Sequence, residues 1–187
     1  MFKNRHTGMT MIELIIVIAI VAILVALAIP SFTVYFEKAR LRGAADDIVA
    51  LLAEARQAAV RENKQVGMSV MLTGTNWCVG ANPAADPPAA GDPIPNADFC
   101  DCSVPAACGL RALSAASYRG VSRPAGADTW FRFDPKLGTL VSMLAVQPIL
   151  LQSQSGDFQL RVNVSPLGHA RICRPAGAGI ITGYPAC

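Results

Sequence analysis

The sequence predicts an α+β fold: a long amino-terminal helix, its first half suited to a membrane and its second half packed on an antiparallel β-sheet domain. Three observations predict it. Every residue from Leu14 to Ile29 is apolar. Further on, Leu41, Ala45, Ile48, Leu52, Ala55 and Ala59 recur at alternating spacings of four and three, the stripe of an amphipathic helix. Beyond Asn63 the apolar pattern shifts to short, β-branched runs separated by turn residues.

At 187 residues the chain has room for one modest domain and an added element. Its composition, 52% hydrophobic and 16% charged, owes its greasiness largely to the stretch Met9–Ile29, where only Thr10 and Glu13 are polar. A hydrocarbon core of ~30 Å needs about 20 helical residues rising ~1.5 Å each, so this stretch is long enough to span a bilayer.

Three readings compete for residues 1–30. Lys3 and Arg5, the apolar run and Ala26-x-Ala28 have the parts of a secretory signal peptide, but the run is too long and Glu13 lies in its first turns. A plain membrane anchor explains the length and leaves Glu13 unexplained. An ionised carboxylate in a lipid-facing helix costs ~2.5–3.5 kcal/mol near the bilayer centre on insertion scales, and less near an end, so such a group persists when it has a partner. The third reading, which is what the resemblance of Gly8–Leu14 to a known processing motif implies, supplies one. A cut after Gly8, which has no side chain to obstruct a protease, frees an ammonium at Met9 about one helical turn from Glu13. That pairing, within one chain or between neighbours, would set the register between subunits.

Pro30 lacks an amide hydrogen and leaves the Ala26 carbonyl unpaired, so a kink or local melting is expected there. The helix is expected from about Thr10 to Asn63. Val66–Leu72 reads as a strand ending at Thr73-Gly74, and residues 80–98, with five prolines, as an irregular surface loop. Strands are expected at Thr129–Phe133 and at Phe158–Val164, where Phe158, Leu160, Val162 and Val164 alternate with Gln159, Arg161 and Asn163. Shorter ones are expected near Leu110–Leu113, Tyr118–Val121, Leu140–Met143 and Arg171–Cys173.

Six cysteines (Cys78, Cys100, Cys102, Cys108, Cys173 and Cys187) all follow the apolar segment. An even number on one side of a membrane span points to disulfides in an oxidising compartment. Sequence alone does not choose among the pairings. Zinc is the rival reading of Cys100-x-Cys102-x5-Cys108, although structural zinc favours Cys-x2–4-Cys pairs, often with His. Lys3 and Arg5 before the span and Lys38, Arg40 and Arg42 after it give the positive-inside rule little to work with. The cysteines decide the orientation, placing everything after Pro30 outside the cytoplasm.

Catalysis finds no support. His6 and His169 are the only histidines, and no Ser-His-Asp, metal-ligand or phosphate-loop constellation assembles. Neither a cofactor nor a metal is expected. The net charge of +3 is modest, but residues 103–187 are locally basic while residues 74–102 carry only acids.

The run Gly8-Met9-Thr10-Met11-Ile12-Glu13-Leu14 resembles the cleavage and methylation motif of type IV pilins and type II secretion pseudopilins. Met9 stands where Phe is commoner. Later stretches resemble the GspH/FimT branch of minor pilins: Leu41–Asp47, Ala55–Asn63, the hairpin Phe133-Asp134-Pro135-Lys136-Leu137-Gly138, Val164–Arg171, and the ending Gly183-Tyr184-Pro185-Ala186-Cys187. The resemblance implies a prepilin peptidase that cuts between Gly8 and Met9 and methylates Met9, with Glu13 and Pro30 as assembly residues. It implies a type IV pilin-like fold divided into leader 1–8, membrane and filament-core helix 9–30, amphipathic helix 31–64 and periplasmic domain 65–187. It implies a single-pass inner-membrane protein whose partners are other pilins or pseudopilins, and a disulfide between Cys173 and Cys187. Some members of the branch bind DNA through a Gly-Arg-x-Arg stretch. Here that stretch reads Gly168-His169-Ala170-Arg171 with Arg174 beyond, making His169, Arg171 and Arg174 the candidate DNA contacts. His169 in place of an arginine removes a permanent charge from them.

Overall fold

A computed structural model describes residues 9–73, 76–83, 99–124, 128–141 and 148–187, with the side chains of 27–31, Thr73 and Pro105 excepted. Gly8 and the rest of the leader, Gly74, most of the proline-rich segment and Met143 lie outside these residues. The chain divides into two compact units, residues 1–36 and 37–187.

One helix, α1, runs over Met11–Glu62. Its start is capped by Thr10: Thr10 Oγ1 accepts from the Glu13 amide at 3.4 Å, and the Leu14 amide donates to the Thr10 carbonyl at 3.2 Å. Its end is set by Asn63, which takes the left-handed conformation at φ 52° while the Lys64 amide reaches back to the Ala59 carbonyl. The backbone stays helical through Pro30, so the expected melting does not occur. A proline removes one intrahelical bond, and the bonds on either side suffice to carry the helix past it. Among the described residues no helix is long and apolar enough to cross a membrane.

The first unit is helix with Ile12, Ile15, Ile16, Ile18, Ile20, Val21, Ile23 and Leu24 all exposed. These positions go round the helix rather than along one stripe. A helix apolar on every side is stable only when something else surrounds it.

The second unit holds the core. Leu41, Ala44, Ala45, Ile48, Leu51, Leu52, Ala55, Ala58 and Ala59 are buried on one face of α1, including every residue of the predicted stripe. They pack against two antiparallel sheets. The first has the order β3-β2-β1-β4, from β1 (Val66–Thr73), β2 (Asn76–Pro83), β3 (Ala112–Ser114) and β4 (Thr129–Phe133). The second has the order β5-β6-β7, from β5 (Ile149–Gln152), β6 (Gln159–Val164) and β7 (Ala170–Cys173). In β6, Leu160, Val162 and Val164 are buried and Asn163 is exposed, the expected alternation.

The strand pattern departs from expectation in three places. Residues 80–83 belong to β2 rather than to a loop, paired along their length with β1 from Val66↔Pro83 to Thr73↔Asn76. Tyr118–Val121 is no strand. A 3-10 turn at Ala115–Ser117 leads into it, the Val121 amide bonds the Tyr118 carbonyl, and pairing begins only at Ser122 with Gln152. Strand β5 was not foreseen. Of the strand expected near Leu140–Met143, residues 142 and 143 lie outside the described residues, and Leu140 forms an isolated bridge to Phe133.

Sheet one is covered on both faces. Val66, Met68 and Val70 of β1 and Trp77, Val79 and Ala81 of β2 face the helix. On the opposite face lie Cys78, Cys100, Cys102 and Cys108, with Met71 and Ala112 packed against them.

Candidate functional site

Among the described residues no single cleft gathers all the sequence-predicted site residues, although His169, Arg171, Cys173 and Cys187 line one together. The candidate residues fall into an amino-terminal segment, a set of contacts holding α1 to its sheets, a basic hairpin and a cysteine cluster.

In the first unit Met9 and Glu13 are exposed, with Glu13 at the third helical position. A carboxylate there complements the positive end of the helix dipole even before any cleavage. Thr10, which sequence reasoning passed over, supplies the cap. Its signal was present in the order Thr10-x-x-Glu13. Pro30 lies within α1.

In the second unit polar side chains fasten the helix. Ser155 Oγ donates to Glu37 Oε2 at 2.7 Å, and Lys38 Nζ lies 4.4 Å from the Phe158 ring centroid. Arg42 donates to the Thr182 carbonyl at 3.0 Å, and the Tyr184 hydroxyl to Asp46 at 3.0 Å. The Tyr118 hydroxyl donates to Asp47, which also lies 3.7 Å from Arg111, and the Tyr118 ring stacks on buried Trp77. Burial, then the bond to Asp47 and its charge, push the Tyr118 hydroxyl up to about 12. Burial and Asp46 raise that of Tyr184 in the same way.

The basic residues sit on and beside the β6–β7 hairpin. His169 and Arg171 are exposed, and Arg174 is half-buried. Arg174 is committed to structure: its guanidinium donates to the Ala178 carbonyl at 2.8 Å, and its amide and carbonyl pair with Pro185 and Cys187. His169 has a neighbour the sequence did not disclose. Arg56 Nη1 of α1 lies 3.4 Å from His169 Nδ1 while its Nε donates to the Gly138 carbonyl at 2.9 Å. Gly168, at φ 77°, turns the hairpin where an added Cβ would stand 2.4 Å from the Gly138 carbonyl oxygen.

All six cysteines are bridged: Cys78–Cys102, Cys100–Cys108 and Cys173–Cys187. The zinc reading of Cys100, Cys102 and Cys108 is therefore overturned. Their sulfurs are consumed in disulfides, and no group of metal-binding side chains assembles among the described residues. The Cys173–Cys187 bridge ties β7 to the chain's last residues.

A long helix, apolar all round at its start and packed on antiparallel sheets beyond, defines a type IV pilin-like subunit. Residues 44–168 match the family described as Type II transport protein GspH, and residues 3–29 match the Prokaryotic N-terminal methylation motif. The chain belongs to the GspH family, the GspH/FimT branch of minor pilins and pseudopilins, whose members are structural subunits and not enzymes. Two curated relatives, each named Fimbrial protein and each from Pseudomonas aeruginosa, are 36% identical over 77 residues, 41% of this chain. The chain spans about half (49%) of the length of these relatives. No solved structure matches it.

Proposed function

We propose that the chain is made as a precursor, cut between Gly8 and Met9 by a prepilin peptidase, N-methylated at Met9, and held by Met9–Ile29 in the inner membrane with its sheet domain in the periplasm. From there it enters a type IV pilus or type II secretion pseudopilus as a minor subunit that helps initiate assembly. The observation that carries this reading is the exposed apolar first unit of α1 joined to the methylation motif. So much exposed apolar surface calls for lipid while the subunit is stored and for neighbouring helices once it is assembled. Glu13, already at the helix start, would meet the Met9 ammonium of its own or an adjacent chain. The three disulfides support the periplasmic placement. Deleting the subunit and measuring both surface filaments and exported enzymes tests the proposal. Loss of filaments alone assigns it to a pilus and loss of export alone to a secretion system. No change in either would refute an assembly role.

A second reading, DNA capture at a filament tip, rests on the contact of Arg56 with His169. The permanent charge absent at His169 is supplied from the helix, beside exposed Arg171. A gel-shift at low salt with the domain from about Ala39 onward tests it. Arg171→Ala and Arg56→Ala are expected to weaken any shift, whereas Arg174→Ala acts through the structure it holds. No shift by the wild-type domain would end this reading.

A further inference from the structure

Two of the three disulfides cross. Cys78 pairs with Cys102 over a separation of 24 residues, and Cys100, which lies inside that loop, pairs outward with Cys108 over 8. Chain statistics do not select this arrangement. Swapping Cys100 and Cys102 gives the consecutive pairing Cys78–Cys100 and Cys102–Cys108, with both loops two residues shorter. Loop closure falls off as about the 3/2 power of length, so in the unfolded chain the swapped pairing is favoured by a little under ~2-fold. An oxidant acting on the chain as it emerges meets Cys78 and Cys100 first, which pushes the same way.

The folded domain reverses that preference. Strand β2 holds Cys78 opposite Met71 on one side and Ser114 on the other. Two residues along, Gly80 leaves an open place over the sheet. A Cβ there would stand 2.6 Å from Cys108 Sγ, 2.7 Å from Cys100 Sγ and 2.9 Å from Cys102 Cβ, so the two crossed bridges, packed together, occupy the space that any other side chain would fill. Ser69, fully buried on β1, donates to the Cys100 carbonyl at 2.8 Å and fixes that segment over the strand. The swapped pairing would draw Cys100 away from Gly80 toward Cys78.

A chain oxidised in the swapped arrangement cannot correct itself. All six cysteines are bridged, so no internal thiolate is left to start exchange. We propose that this subunit is a substrate of a dithiol–disulfide isomerase in the compartment that oxidises it, a partner required for Cys100 and Cys102 to exchange places. The inference rests on the periplasmic placement of the domain. The enzyme's thiolate attacks the Cys78–Cys100 bridge, forming a mixed disulfide with one cysteine and releasing the other as thiolate. That thiolate attacks the Cys102–Cys108 bridge. The last thiolate set free resolves the mixed disulfide and regenerates the enzyme thiolate. Two bonds break and two form, with no net oxidation and no electron acceptor.

The test is expression of the full-length chain in bacteria that have the periplasmic dithiol oxidase, with and without the isomerase. Thiols are trapped by alkylation, and the pairing is mapped by mass spectrometry of unreduced peptides. With the isomerase, Cys78–Cys102 and Cys100–Cys108 are expected to predominate. Without it, Cys78–Cys100 and Cys102–Cys108 should rise to at least an equal share. The double variant C100S/C108S leaves only consecutive pairs and should form Cys78–Cys102 equally in both strains. Equal native pairing of the wild-type chain in both strains would overturn the proposal. Equal loss of Cys78–Cys102 from the double variant and the wild type without isomerase would also overturn it, since the crossing would then be irrelevant. Fully reduced cysteines in both strains would instead refute the periplasmic placement, and this inference with it.

Discussion

Tyr118 joins three layers of the second unit, with its ring on Trp77 and its hydroxyl on Asp47 of α1 beside Arg111. Its pKa is pushed up to about 12, from an ordinary tyrosine value of about 10. A group whose pKa rises on folding lends stability fully below its unfolded pKa and loses it as pH climbs through the folded one. The domain should therefore weaken between about pH 10 and 12, with Tyr184 adding in the same direction. Urea unfolding of residues 37–187 at pH 7 and pH 11 measures this. Tyr118→Phe should cost about 1 kcal/mol at pH 7 through the lost hydrogen bond, and it should flatten part of the alkaline loss. Glycines give a second comparison at this scale. Gly168 (φ 77°) and Gly177 (φ 84°) are both left-handed, but an added Cβ meets the Gly138 carbonyl oxygen at the first and nothing within 4 Å at the second. Gly177→Ala should cost about 1–2 kcal/mol from backbone conformation alone. Gly168→Ala should cost clearly more, read as a larger drop in the urea midpoint.

At the scale of elements, the helix face does the packing. Ile48 is fully buried between α1 and the sheets, so Ile48→Ala should lower stability by about 2–5 kcal/mol. Exposed Glu54→Ala should stay within about 0.5 kcal/mol. Both are checked by the same urea curves. This stripe was legible because a helix repeats its buried face every three or four residues, and Leu41 to Ala59 obey that spacing. Strand β6 was legible because one face is wet and its alternation shows. Strand β2 was not, because both its faces are covered: Trp77, Val79 and Ala81 look one way, and Cys78 and Gly80 look toward disulfides. A glycine there reads as a turn until the sulfurs that need its space are known. Strand β5 carries Ile149-Leu150-Leu151, an apolar run without alternation, and periodicity has nothing to register in it. The crossing of the disulfides was equally closed to the sequence, since nothing local tells Cys100 from Cys102, two residues on, as the partner of Cys78. On the site itself, Gly8, Met9 and Glu13 were readable as a local motif. The Arg56–His169 contact was not, because it joins residues 113 positions apart.

For the whole molecule, the proposed function gives the amino terminus and the domain separate tasks. The second unit folds around its own core, so Glu13→Ala should leave its unfolding curve unchanged. If Glu13 pairs with the freed Met9 ammonium, the same substitution should sharply reduce recovery of the subunit in sheared filaments or cross-linked pseudopilin complexes, while the amount in the membrane stays constant. Unchanged recovery would leave Glu13 only its place as a carboxylate in the first helical turn. That assembly role depends on the amine being liberated at Met9. The most direct measurement is therefore the mass of the amino-terminal peptide of the chain recovered from its native membrane. The account predicts a peptide that begins at N-methylated Met9. A chain that keeps residues 1–8, or one that begins just after Ala28, would contradict it.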